Sequence, residues 1–103
     1  MKYVEELSIP ELTSEQIEEL CSIAEETARR SVLSKVMQKK IETLNISVEA
    51  EGTKPLNLVV DVDVVLSPIM KDFDVETLTQ EAIKTAFAAA EKYLRELKWQ
   101  SQK

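Results

Sequence analysis

Leu56-Asn-Leu-Val-Val-Asp-Val-Asp-Val-Val-Leu-Ser67 is the most hydrophobic run in this chain, and its alternation decides what the flanking segments must do. Leu56, Leu58, Val60, Val62, Val64 and Leu66 fall on one face at period two, while Asn57, Asp61, Asp63 and Ser67 fall on the other with Val59 and Val65. β-Branched valines dominate the run, and Pro55 and Pro68 bound it, so a strand is expected rather than a helix.

Upstream, from about Glu42, the period is also two. Leu44, Ile46, Val48 and Ala50 alternate with Thr43, Asn45, Ser47, Glu49 and Glu51, the pattern of a half-buried strand. Gly52-Thr53-Lys54-Pro55 supplies a turn, so the two strands form an antiparallel hairpin. Matching the apolar faces requires Ile46 opposite Val60 or the residue two further along, because a one-residue slip would turn every valine to water.

Helices are expected on both flanks. Met1 to Leu12 reads as a lead-in that Pro10 keeps from joining the next helix smoothly. Thr13 and Gln16 have capping-box spacing, with Leu12 and Ile17 placed as a hydrophobic staple, so a helix should begin at Ser14. Its apolar stripe runs through Ile17, Leu20, Cys21, Ala24 and Ala28, then drifts through Val32, Leu33, Val36 and Met37. Either the helix bends near Arg30 to Ser34 or its second half buries another face. Beyond Pro68, Asp74 is placed as an N-cap, with Phe73 and Leu78 as a second staple. The Ala-rich helix that follows presents Val75, Leu78, Ala82, Ile83, Ala86, Phe87, Ala89, Ala90, Tyr93, Leu94 and Leu97 on one broad face, with Trp99 off the stripe near an end that has no glycine stop. The expected fold class is α+β: a two-layer αββα unit in which two helices cover one face of an antiparallel hairpin.

Length and composition agree with one such domain over residues 1–103. A chain of 103 residues buries roughly two-thirds of its unfolded surface, and 44% hydrophobic residues mark a globular chain rather than a disordered one. No apolar run approaches the roughly 20 residues of a membrane span, and the N-terminus lacks the apolar core of a signal peptide. With a single cysteine, these features predict a cytoplasmic protein without a disulfide framework. The surplus of Glu and Lys resembles thermophile composition.

Taken together, the Thr-Ser-Glu-Gln helix start at Thr13, the strand from Leu56 and the Ala-rich final helix resemble a family of small archaeal proteins that carries only a domain-of-unknown-function label. The resemblance covers nearly the whole chain and implies an archaeal source and an α+β fold. It carries no functional residue across.

Four features could carry chemistry. Cys21 could act as a nucleophile only beside a base, and the chain has no histidine; its place among Ile17, Leu20 and Ala24 reads as core. Asp61 and Asp63 share a strand face, across from Asn45 and Thr43, and could hold Mg²⁺ or Ca²⁺, although alternating aspartates more often form a solvated face. Arg29, Arg30, Lys35, Lys39 and Lys40 make a basic block of net charge +5 within a chain of net charge −6. That block could contact phosphates, or it could complement the negative pole of the first helix. An apolar ligand pocket beneath the final helix, near Phe73, Tyr93 and Trp99, competes with the simpler reading of that face as core. There is no Gly-rich phosphate loop, no paired Cys or His metal spacing and no Ser-His-Asp set, so no enzyme and no cofactor are expected.

Two function classes follow. The preferred one is a non-catalytic, self-associating interaction or scaffold module, with itself and another protein as the candidate partners. The alternative is a nucleic-acid-associated accessory protein using the basic block, which the overall negative charge disfavours. Self-association is expected because a hairpin covered on one face leaves both strand edges unpaired. The predicted dimer uses the hairpin edge, the first helix through Val32, Leu33, Val36 and Met37, or both. Leu33→Glu or Val36→Glu is expected to weaken it.

Overall fold

A computed structural model describes residues 1–7, 12–52 and 55–101, with side chains to residue 97. The readings at Pro10, at Thr53-Lys54 of the turn and at the Trp99 side chain lie outside the described residues. The quoted run forms a strand over Leu56–Leu66, preceded by strands at Lys2–Leu7 and Ile41–Glu51; in chain order these are β1, β2 and β3. Helices α1 (Ser14–Lys35) and α2 (Val75–Ser101) complete the α+β fold and pack on the sheet.

β3 is the centre of the sheet, in the order β1-β3-β2 with both pairings antiparallel. Ile46 lies opposite Val62 and Val48 opposite Val60, one of the two registers that the apolar pattern allows. The aspartates are therefore shifted by two residues from the expected facing of Asn45 and Thr43: Asp61 faces Ser47, Asp63 faces Asn45, and Thr43 faces Val65. Gly52 closes the hairpin at φ +78°, a left-handed conformation, and a Cβ there would come within 2.9 Å of the Pro55 carbonyl oxygen. Glycine alone avoids both problems.

β1 is the element that the lead-in concealed. Lys2, Glu5 and Glu6 distribute charge over both of its faces, so alternation gives no strand signal. Its cause is tertiary: the second edge of β3 has a full row of backbone groups to satisfy, and β1 satisfies them from Leu7 opposite Leu56 to Lys2 opposite Asp61. This also corrects the expectation of two bare hairpin edges: the β3 edge is paired by β1, and the β2 edge is unpaired among the described residues. Val59 changes class for the same reason. Flanked on the outer face by Val4 and Glu49 of the neighbouring strands, it is only 6% exposed, whereas Val65, beyond the end of β1, remains exposed.

α1 begins at Ser14 behind the expected capping box. The Gln16 N–H donates to Thr13 Oγ1 at 3.1 Å, and the Thr13 N–H donates to Gln16 Oε1 at 2.9 Å. The helix runs unbroken to Lys35, so the drifting stripe needs no bend. Its buried residues are Leu20, Ala24, Ala28 and Val32, a row at four-residue spacing that winds gradually round the cylinder, and Val36 continues it from the C-cap. Asp74 caps α2 as expected, accepting from the Thr77 N–H at 3.0 Å. That helix buries Leu78, Ala82, Ile83, Ala86, Phe87, Ala90, Tyr93 and Leu94 against α1 and β3. Alanines on both helices let them approach closely, and β3 lies beneath with Leu58, Val60 and Val62 wholly buried. Burying each such side chain contributes roughly 1.5–3 kcal/mol.

Candidate functional site

The four sequence candidates separate in space, and the structure gives each its surroundings. Cys21 is half-buried on the flank of α1 rather than sealed in the core. Burial, followed by the field of Glu49, pushes its thiol pKa up, away from the thiolate that nucleophilic chemistry needs. Asp61 and Asp63 lie beside the amino group of Met1, which is 2.9 Å from Asp63 Oδ1 and 3.5 Å from Asp61 Oδ1 and donates to the Val62 carbonyl at 3.0 Å. The hydrogen bond to Asp63, reinforced by both negative charges, holds that amine above its ordinary pKa despite partial burial. Among the described residues no group of three or more His, Cys, Asp or Glu side chains is gathered to hold a metal.

Two cations of the basic block are already paired within α1. Arg29 pairs with Glu25 at 3.2 Å and Arg30 with Glu26 at 2.8 Å, each one turn back along α1. Lys35 ends the helix, and Lys39 and Lys40 lie in the short 3₁₀ turn leading into β2. The four candidate dimer residues also divide. Val32 is 0% and Val36 3% exposed, so both belong to the subunit's own core, because the i, i+4 row carries them over the sheet. Leu33, one position round the helix, and Met37, past its C-cap, are 38% and 61% exposed. Val36→Glu therefore tests the fold, and Leu33→Glu alone tests association.

The broad face of α2 is filled by core. Tyr93 is buried there, and its hydroxyl donates to Glu19 of α1 at 3.0 Å. Burial and that carboxylate raise the phenol's pKa. Two open grooves remain of interest. One of about 460 Å³ follows the α1–α2 seam past Glu19, Ile23 and Tyr93. The other, of about 270 Å³, lies between the flank of α1 and the open edge of β2, where Arg29, Leu33, Ile41 and Leu44 line it.

One pair could not be found from sequence. Glu5, on the helix-facing side of β1, lies against Glu91 of α2, and the shared hydrogen bond, burial and like charge together raise its carboxyl pKa. The two are brought together only by the unforeseen strand. β2 is an edge strand, paired on one side among the described residues, with its helix-facing side chains half-buried.

A small α+β domain with an exposed sheet edge is the class these features define. The chain belongs to the family described as a protein of unknown function (DUF3194), whose model matches residues 9–93. It is 31% identical over 91 residues to an uncharacterised protein of Thermococcus kodakarensis, covering 88% of this chain and 83% of that one. A crystal structure from Thermococcus onnurineus superimposes with a TM-score of 0.80 at 27% identity, covering 97% of this chain and 96% of the other. The solution structure of the hypothetical protein mth677 from Methanothermobacter thermautotrophicus gives a TM-score of 0.72 at 26% identity, with 87% and 97% covered. The relatives are archaeal, as the resemblance implied, and no helix among the described residues is long and apolar enough to cross a membrane.

Proposed function

We propose that this chain is a non-catalytic, cytoplasmic interaction module that associates with itself. The observation carrying this is β2: an eleven-residue strand, paired on one side only, whose helix-facing side chains Leu44, Ile46, Val48 and Ala50 stay half-buried. Their counterparts on β3 at Leu58, Val60 and Val62 are fully covered. An edge of this length with an apolar flank is a template for another strand. Light scattering at tens of micromolar is expected to give twice the chain mass of 11.7 kDa. A monomer at that concentration would refute the proposal.

Lys35, Lys39 and Lys40, clustered at the α1–β2 connection, favour the alternative of a nucleic-acid accessory protein. That reading predicts retardation of labelled RNA or DNA that weakens steeply as salt rises. No retardation at low salt would remove it.

A further inference from the structure

The backbone of β2 shows which groups face the open side. Met1 and Val62 exchange both backbone hydrogen bonds, at 2.8 and 3.0 Å, so the even-numbered residues of β3 turn their N–H and C=O groups toward β1. The odd-numbered ones bond to Thr43, Asn45, Ser47, Glu49 and Glu51 of β2. Leu44, Ile46, Val48 and Ala50 consequently aim their backbone groups outward, and these are the residues whose apolar side chains are only half covered. Between Glu42 and Glu49 the strand carries no charge, no proline and no glycine. Nothing in that central segment blunts it against another strand.

Above this edge runs one flank of α1. Arg29 and Leu33 share the groove with Ile41, Glu42 and Leu44 at one end, and Cys21 lies near Glu49 at the other. The flank reads Cys21, Glu25, Arg29, Leu33 at four-residue spacing: apolar, acidic, basic, apolar. Turned end for end, the row complements itself, with apolar against apolar and acid against base. With Leu33 beside Ile41 and Leu44 and α1 running back along β2, rises of about 1.5 Å per helical residue and about 3.3 Å per strand residue set the middle of the row, near Thr27, level with the middle of the strand, near Ile46.

From this coincidence we infer that the β2 edge and the α1 flank together form a twofold interface with a second copy of the chain. β2 pairs antiparallel with its mate about Ile46, and Glu25 faces the partner's Arg29. The inference rests on the self-association proposed above and supplies its geometry. Leu44 then opposes the partner's Val48, Asn45 the partner's Ser47 and Thr43 the partner's Glu49, so no two like charges meet. The product is a six-stranded antiparallel sheet with four helices on one face.

The charges also select the register. Sliding the partner by two residues, about 7 Å, preserves strand pairing but moves its α1 by a little more than one turn. That movement sets Glu25 against the partner's Glu25 in one direction and Arg29 against the partner's Arg29 in the other. Only the pairing about Ile46 brings opposite charges together at both positions.

The test combines mass measurement with cross-linking on the full chain. Ile46→Pro removes an N–H that the subunit's own sheet does not use, so the fold seen by circular dichroism should persist while the dimer dissociates. Arg29→Glu should weaken the dimer by about tenfold or more through like-charge apposition, and Glu25→Arg with Arg29→Glu should restore it. In a Cys21→Ser background, an oxidised mixture of Asn45→Cys and Ser47→Cys chains should form a disulfide-linked dimer faster than either chain alone, since these residues face each other in a close, non-hydrogen-bonded pair. A monomeric wild type overturns both self-association and this interface. A dimer indifferent to Arg29→Glu, with no preferential mixed disulfide, overturns the interface and leaves self-association standing.

Discussion

The two edges of the sheet are built differently. β1 has six residues and points Glu5 inward against Glu91, so a strand arriving there meets a short template and a crowded pair of carboxylates. β2 has eleven residues, and its only irregularity is a register shift between Ile41 and Thr43 at one end. Short length and inward charge are standard ways of protecting an edge, and β1 has both. Protection on one side alone leaves the backbone groups of the other side bare, and the proposed self-association would use them.

The comparison depends on β2 being incompletely covered, and core substitutions test that most strongly. Leu58→Ala in the central strand is expected to lower unfolding free energy by about 2–5 kcal/mol. Leu44→Ala on the edge should cost well under half as much when denaturation is followed at concentrations where the chain is monomeric. Equal losses in urea titrations would show that the edge is as well packed as the centre.

Next in size is Gly52→Ala, which forces a Cβ into the left-handed region and against the Pro55 carbonyl. A loss of about 1–2 kcal/mol is expected from the backbone conformation alone. Thermal melts should show it, and a melting temperature equal to wild type would mean that the hairpin turn relaxes freely. Thr13→Ala removes the acceptor for the Gln16 N–H and should cost about 1 kcal/mol. Because the α1 row begins several residues beyond the cap, the dimer constant measured by light scattering should stay at its wild-type value while stability falls.

The smallest effect belongs to the protected edge. The carboxyl of Glu5 has its pKa raised in the folded state, so the folded chain holds a proton that the unfolded chain has already lost. This contribution is favourable below the ordinary glutamate pKa and is lost as pH rises through the raised one. Glu5→Gln is therefore expected to stabilise at neutral pH, by no more than about 1 kcal/mol because the pair reaches solvent, and to be neutral in acid. Paired melts at neutral and acidic pH check the sign. Destabilisation at neutral pH would mean that Glu5 supports β1 through some contact other than its pairing with Glu91.

Local chemistry made much of this molecule legible in one dimension. The alternation of Leu56 to Leu66, the helix start at Thr13, the cap at Asp74 and the apolar face from Leu78 to Leu94 all report interactions between residues a few positions apart, and such interactions are written directly into sequence. The sequence by itself therefore determined the αββα order, the pairing of β2 with β3 and the side on which the helices lie. Tertiary structure alone decided that residues 2–7 become a strand, because their pairing partners lie 49 to 59 residues away and their own pattern is mixed. It also divided Val32 and Val36 from Leu33 and Met37, since a helical row shows which residues share a face but not which face the sheet covers. The candidate interface belongs wholly to this second kind. Its palindromic row on α1 and its bare run on β2 are each visible in sequence, yet they become one surface only because the packing of α1 over β2 sets their midpoints together.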